Sequence, residues 1–369
     1  MIDIIELTRQ LVRTPSESSD PLNTPAQAEK GVLEHLSQLC RDHDVSCETM
    51  SAKEGRDNLV ARFPAPGKPR LLIMAHMDTV SSRGMADPFA ATLNNGTIHG
   101  RGACDDKGPL ACGLATLLNL AAERKNLQYD VTFAATVDEE VSMAGSGALA
   151  ASGEKWDLAL ALEPTSLKVI TAHKGAWRCR VTTRGKAAHS SAPEHGDNAI
   201  YKMLPIIDDL RRYGEELGRE SNPELGCATL AITRINGGTS LNIIPDACEI
   251  GVDIRLLPKM EPKAIREKIT ALVGERGRVE ELYQGCGIRT EPGHPLVVNL
   301  LSAIEGSGIK AETITAPFAT DCSRLAHICP GIVWGPGDIR LAHKADETIS
   351  VDELTAAARI LKQFLSQAK

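Results

Sequence analysis

Residues 70–80, RLLIMAHMDTV, place a short unbroken apolar run directly before His76 and Asp78. Such a run predicts a strand buried on both faces, the kind that parallel sheets contain. Residues i and i+2 of an extended chain project to the same side. The Asp78 carboxylate is therefore placed to hold the ring nitrogen of His76 that a metal would not use, the usual support of a metal-bound histidine. Taken alone, His-x-Asp also describes a strand-capping histidine beside a solvated aspartate, so the rest of the chain must decide.

The chain has 369 residues, which is long for one domain and suits two or three. Its 42% apolar and 24% charged content is that of an ordinary soluble globular protein. Aromatic residues make up only 3%, so the core must be aliphatic and alanine-rich. A formal charge of −7 argues against nucleic acid or an anionic membrane as partner. No apolar run approaches the roughly 20 residues of a membrane span. The acidic N-terminus MIDIIE lacks the basic and apolar segments of a signal peptide, which predicts a cytoplasmic protein. Ten cysteines contain no Cys-x-x-Cys pair, which excludes thiolate zinc sites and thioredoxin-like chemistry. Cys104 and Cys322 lie beside chemically interesting residues, but no histidine base accompanies either, so both are expected to be structural thiols.

In chain order, residues 3–12 predict a short helix. Thr24 and Pro25 then supply an N-cap and first-turn proline for a helix bearing Ala28, Val32, Leu33, Leu36, Leu39 and Cys40 on one face. Residues 58–63 and 70–74 read as neighbouring strands. The turn-rich loop 98–108, IHGRGACDDKG, feeds an alanine- and leucine-rich helix from Pro109 to about Glu123. Two more apolar strands, 131–137 and 158–162, flank a further helix. Strands alternating with helices predict an α/β fold with a largely parallel sheet. After His173 the pattern becomes strand, helix (198–213), strand (228–235), strand (247–256), helix (262–273) and strand (279–283). That βαββαβ order is the ferredoxin-like split unit. The α/β pattern then resumes with a helix from Pro295, a strand at 331–334, and a helix from Val351 capped by Ser350 with Glu353 three residues on. The expected layout is a discontinuous catalytic domain, 1–175 and 285–369, carrying an inserted domain at 176–284.

Five groups then follow strands or lie in loops that strands feed: His76, Asp105, the pair Glu139 and Glu140, Glu163, and His343 after the turn GPGD at 335–338. Sites in open parallel sheets gather outside the carboxyl ends of the strands. Isolated carboxylates are usually surface groups, but several at successive strand ends form a coherent metal-ligand set. Two neutral histidines with Asp105, Glu140 and Glu163 bring three negative charges against four from two divalent ions. A bridging hydroxide would neutralise the set, which keeps its burial tolerable. Mixed imidazole and carboxylate ligation suits zinc, with cobalt or manganese able to substitute.

At this point the chain resembles a known family, the co-catalytic zinc hydrolases that include acetylornithine deacetylase, succinyl-diaminopimelate desuccinylase, aminoacylases and carboxypeptidases. The likeness covers nearly the whole length. It is carried by AHMDTV (75–80), GRGACDDKG (100–108), DEE (138–140), EPTS (163–166) and Ala342-His343. SMAG (142–145), EPTSL (163–167), AHKG (172–175), HSSAP (189–193) and GPG (335–337) draw it toward the acetylornithine deacetylase branch. The resemblance implies that Asp105 bridges two metals, that His76 and Glu163 complete one site, and that Glu140 and His343 complete the other. It implies Glu139 as general base, Asp78 as the partner of His76, and a cis peptide at Asp105–Asp106. Asp106 stands where the nearest branch more usually has methionine, and ATDC (319–322) lies where related enzymes vary their substrate contacts.

The implied reaction is hydrolysis of the amide of a small N-acyl amino acid, foremost N2-acetyl-L-ornithine to L-ornithine and acetate, a step of arginine biosynthesis. Glu139 would move the proton from water to the leaving amine. The resemblance also implies a homodimer in which His189, from the partner's inserted domain, donates to the oxyanion. Arg255 is a candidate clamp for a substrate carboxylate, with Asn242 and Gly238 expected to line the same cleft. A cationic substrate side chain is favoured by the acidic balance of the chain and by Asp106 and Asp321, expected near the site. A desuccinylase, aminoacylase, dipeptidase or carboxypeptidase is the rival reading, and a non-catalytic scaffold the remote one.

Overall fold

The computed structural model describes residues 1–18 and 28–366. Two compact units emerge, one comprising Met1–Thr171, Arg289–Ile314 and Thr320–Lys369, the other Ala172–Ile288 and Thr315–Ala319.

The first unit is built on a mixed sheet. From one edge its strands run Cys47–Lys53, Arg56–Phe63, Asp130–Thr136, Arg70–His76, Leu158–Ala161, Gly331–Val333 and Val169–His173. The central four, Asp130–Thr136 through Gly331–Val333, are mutually parallel, as their unbroken apolar sequences require. Every residue of Arg70–His76 after Arg70 is buried. Arg56–Phe63 and Arg70–His76 are not neighbours as expected. Asp130–Thr136 lies between them, antiparallel to the first and parallel to the second.

Helix Gly108–Ala122 is buried almost all round, the fate of a helix without a polar face. It packs with Val351–Leu365 and Ile4–Val12 over one large aliphatic core. The Ser350 hydroxyl accepts from the Glu353 amide at 3.3 Å, and Asp3 caps Ile4–Val12 by accepting from the Ile5 and Glu6 amides. The expected cap at Thr24 and Pro25 falls outside the described residues. The helix there is described from Lys30 to Asp42, with Glu29 at its N-cap. Among the described residues no helix is long and apolar enough to cross a membrane.

The second unit is a four-stranded antiparallel sheet in the order Thr229–Gly237, Ala247–Leu256, Gly175–Arg184, Arg278–Gly285. Helices Ala199–Leu217 and Pro262–Val273 complete the βαββαβ order. The sheet obeys the two-residue period. Trp177, Cys179, Val181, Ile250, Val252 and Ile254 point into a core with Met203, Ile206, Leu210, Ile265 and Ile269. Alternate residues form ion pairs on the opposite side: Arg178 with Asp253, Arg180 with Glu249 and Glu280, and Arg255 with Asp253.

Candidate metal centre

The ends of three parallel strands converge on one cluster in the first unit. Arg70–His76 ends on His76, Asp130–Thr136 leads through Val137 to Glu139 and Glu140, and Leu158–Ala161 leads through Leu162 to Glu163. The loop after Thr97–His99 supplies Asp105. It can approach closely because Gly102, at φ +83°, would drive a Cβ to 2.7 Å from the Thr79 methyl. His343 arrives from the loop after Gly331–Val333, itself at a left-handed φ of 63°.

Donor atoms of His76, Asp105, Asp106 and Glu163 lie within 4.8 Å of one another, and so do those of Asp105, Glu140 and His343. Asp105 belongs to both groups. Its Oδ1 lies 2.9 Å from His76 Nε2 and its Oδ2 3.2 Å from His343 Nε2. His343 Nε2 is also 3.1 Å from a Glu140 oxygen. The Asp105–Asp106 peptide is cis, as the resemblance implied.

The support of His76 differs from expectation. Its Nδ1–H donates to the backbone carbonyl of Asp78 at 2.9 Å, while the Asp78 carboxylate is 3.5 Å away. The chain turns after His76, so the main chain meets the ring first. The Asp78 carboxylate instead accepts the amides of Glu139 at 3.1 Å and Glu140 at 3.3 Å. Behind this turn, buried Arg56 binds Glu29, Asp138 and the Ser18 hydroxyl.

Burial alone would lower the His76 pKa, but Asp105 and Asp78 outweigh it and hold it well above the usual value. Asp105 and Glu140 push His343 up to about 11. Burial would raise Asp105, yet the two histidines hold it below the ordinary carboxylate range. For Glu139, burial and then the Glu163 charge raise the pKa well above normal; burial and then Asp105 do so for Glu163 and raise Glu140. Crowded carboxylates that repel one another, with two imidazoles between them, are the donor set that divalent cations satisfy. Asp106 Oδ1, fully buried, has no hydrogen-bond partner among the described residues, which adds to that excess of negative character.

Asp106 and Asp321 are buried, at 0% and 2% exposure. Asp106 accepts from the His76 amide at 3.0 Å, and Asp321 from the Thr136 and Ser146 hydroxyls at 2.6 Å each. Asp106 also lies among the donor atoms of His76, Asp105 and Glu163, and the Asp321 charge is felt by Glu139 and Glu163. Cys104 and Cys322 are buried thiols with raised pKa, first through burial, and each donates to a backbone carbonyl at 3.4 Å.

His189, Asn242, Gly238 and Arg255 belong to the second unit. His189 pairs with Ile243, and the next residue, Ser190, donates its amide to the Asn242 carbonyl at 3.0 Å. Gly237, just before Gly238, pairs with Cys248 at one end of its strand, whereas Arg255 pairs with Thr229 at the other. Arg255 therefore does not line one cleft with Gly238 and Asn242 in this unit, and its Nε binds Asp253 at 2.8 Å. Sequence reasoning missed Glu347, which accepts the Asp105 amide, as well as the Arg56 cluster. Only their charge was visible, and charge alone reads as surface.

The model of peptidase family M20/M25/M40 matches residues 72–367. Acetylornithine deacetylase of Proteus mirabilis is 32% identical over 98% of this chain and 95% of its own length. The Shigella sonnei enzyme of that name is 31% identical over 98% and 96%. Among solved structures, an M20 family metallo-carboxypeptidase from Sulfolobus solfataricus aligns with TM-score 0.81 at 18% identity, over 99% of this chain and 98% of that one. A dinuclear metal binding peptidase of the family from Bacillus subtilis aligns at 0.69 and 17%, over 98% and 96%. With family motifs at three strand ends and a match over most of its length, the chain belongs to peptidase family M20/M25/M40 and is a metal-dependent hydrolase.

Proposed function

We propose that the chain hydrolyses the amide bond of a small N-acyl α-amino acid, with N2-acetyl-L-ornithine the first choice, yielding acetate and L-ornithine. The observation that carries this reading is the sharing of Asp105, whose two oxygens face His76 and His343 separately. His76, Asp105 and Glu163 would hold one divalent ion, and Asp105, Glu140 and His343 a second, zinc foremost with cobalt or manganese as substitutes. Bound ions would lower the pKa of water toward about 7 and polarise the substrate carbonyl.

Glu139 stands next to a ligand without belonging to either donor group, which suits it to proton traffic. It takes a proton from the attacking water and delivers it to the departing nitrogen. Its turn is held by Asp78, so its backbone does not wander during transfer. His189 is proposed to come from a partner subunit and donate to the oxyanion. Its Nδ1 accepts from the Ser191 amide at 3.1 Å, so the neutral ring carries its proton on Nε2 and donates from there. Homodimerisation through the second unit is supported by the edge of Thr229–Gly237 that no strand among the described residues covers and by exposed Ile235, Leu241, Tyr201 and Leu204. Arg255 remains a proposed carboxylate clamp by itself, with Asn242 and Gly238 grouped near His189.

The deacetylase choice is supported by 32% identity across nearly the full length, with arginine biosynthesis and the cytoplasm as its setting. It does not draw on Asp106 or Asp321. The test is a panel of kcat/KM values over N-acetylornithine, other N-acetyl amino acids, N-succinyl-diaminopimelate and dipeptides. Acetylornithine should lead. If neutral acyl amino acids or dipeptides exceed it by about 10-fold, roughly 1.4 kcal/mol of transition-state discrimination, the substrate assignment fails and the amide chemistry stands.

A further inference from the structure

Four residues beyond His343 on the same segment lies Glu347, a carboxylate only 1% exposed. Its Oε1 accepts the backbone N–H groups of Cys104 and Asp105, each at 3.0 Å. Its Oε2 takes the guanidinium of Arg101, which donates onward to the Ser81 carbonyl at 3.0 Å. The Glu347 carbonyl accepts the Gly100 amide at 3.2 Å. Immediately afterwards Thr348–Ser350 pairs with Thr97–His99, joining Thr348 to His99. Strand pairing, a main-chain bond and a side chain thus fasten the segment carrying His343 along the loop carrying Asp105.

Two roles are open to such a group. It could simply neutralise buried Arg101, a task that any carboxylate within reach performs. The paired amide contacts ask more, because a single oxygen must sit 3.0 Å from two consecutive N–H groups. One of those N–H groups belongs to the residue whose side chain faces both His76 and His343. Buried N–H groups without a partner are costly, so the Cys104 and Asp105 amides favour the loop position in which Glu347 reaches them.

We propose that Glu347 is a positioning residue that fixes the Asp105 carboxylate between the two donor groups and ties His343 to it. This rests on the two-metal reading above. The group of Asp105, Glu140 and His343 depends on Glu347 twice, through Asp105 and through the segment bearing His343. The group of His76, Asp105 and Glu163 keeps two donors at strand ends that Glu347 does not touch.

The experiment titrates chelator-stripped full-length protein with Co2+ in a calorimeter. It compares the wild type, E347D, which keeps a charge opposite Arg101 but is one methylene short of the amides, and E347Q, whose amide oxygen still reaches them. The wild type should take up two ions. E347D should weaken one of them by about 10-fold or more and the other by less than about 3-fold, and E347Q should bring both within about 3-fold of wild type. In turnover, E347D should lower kcat and leave KM nearly unchanged. E347D with wild-type affinities, E347D with both ions weakened equally, or E347Q as impaired as E347D overturns the proposal. A wild type binding fewer than two ions overturns the two-metal reading, and this inference with it.

Discussion

Asp78 holds Glu139 by its main chain: Oδ1 of Asp78 accepts the Glu139 amide at 3.1 Å, while its Oδ2 accepts the Glu140 amide at 3.3 Å. The same residue receives the His76 ring through its backbone carbonyl. One fully buried aspartate therefore sets the positions of a candidate ligand from one strand end and of the proposed ligand and proposed general base from the next. Burial would raise its pKa, but His76 and Arg56 reverse this and keep it below the usual value, so it stays a carboxylate. Replacing Asp78 with Asn supplies one acceptor oxygen where two are needed. We expect D78N to fold, by circular dichroism, and to lose about 10–100-fold in kcat or metal affinity, the usual penalty for losing the support of a metal ligand. Wild-type kcat and metal content in D78N would show that the turn is held by other means.

Among the described residues Arg56 is the one cation enclosed with Glu29 and Asp138, and all three side chains are at most 2% exposed. Lys53 approaches Asp138 only from a half-exposed position, at 3.5 Å. Removing Arg56 leaves two buried carboxylates uncompensated, a change worth about 3–5 kcal/mol. Arg56→Met should lower the urea midpoint accordingly, and adding Glu29→Gln should recover part of the loss, since the two positions share one network. If Arg56→Met unfolds within about 1 kcal/mol of wild type, the cluster does not stabilise the first unit.

Much of this was legible in the chain because it depends on local period. The apolar run ending at His76, the all-round apolar helix after Asp106 and the alternation from Ala247 to Leu256 each reflect burial at a fixed repeat. His76, the pair Glu139 and Glu140, and Glu163 were visible because they sit at or just past such strands. Pairing order was not visible: nothing local to residues 56–63 or 70–76 records that Asp130–Thr136 comes between them. Nor could side-chain spacing foresee that the Asp78 carboxylate turns from His76 to the Glu139 and Glu140 amides. Asp106, Asp321 and Glu347 were legible as charges but not as buried groups, since their enclosure comes from long-range packing.

His173 gives a pH dependence separate from the metal groups. Burial lowers its pKa to about 4, against the opposing pull of the Lys174 and His173 carbonyls. Its Nδ1–H donates to the Lys174 carbonyl at 2.9 Å. Above the unfolded value of 6.5 both states are neutral and the contribution to stability is complete. Below it the unfolded chain takes up a proton that the folded chain refuses, so stability falls with pH until about 4 is reached. The whole window is worth about 3 kcal/mol. In metal-free protein, wild type should lose more stability than His173→Asn between pH 7 and 4.5 by urea unfolding. Parallel losses in the two proteins would remove His173 as the source.

The dimer reading makes a sharper demand, because it divides one active site between two chains. Glu139→Gln removes the proton carrier without touching a donor group, so it should retain both metals and lose about 10²–10⁴ in turnover. His189→Ala removes the proposed oxyanion donor and should leave metal binding unchanged, since His189 lies on the other unit. If His189 serves the partner's site, a mixed dimer holds one site damaged twice and one wholly intact. Unfolding and refolding the two inactive variants together should then restore activity, approaching a quarter of the wild-type rate for random pairing of equal amounts. Each variant refolded alone supplies the baseline, and elemental analysis confirms that both carry metal. Refolded mixtures that form dimers by light scattering yet stay at baseline would place His189 in its own chain's site or outside catalysis.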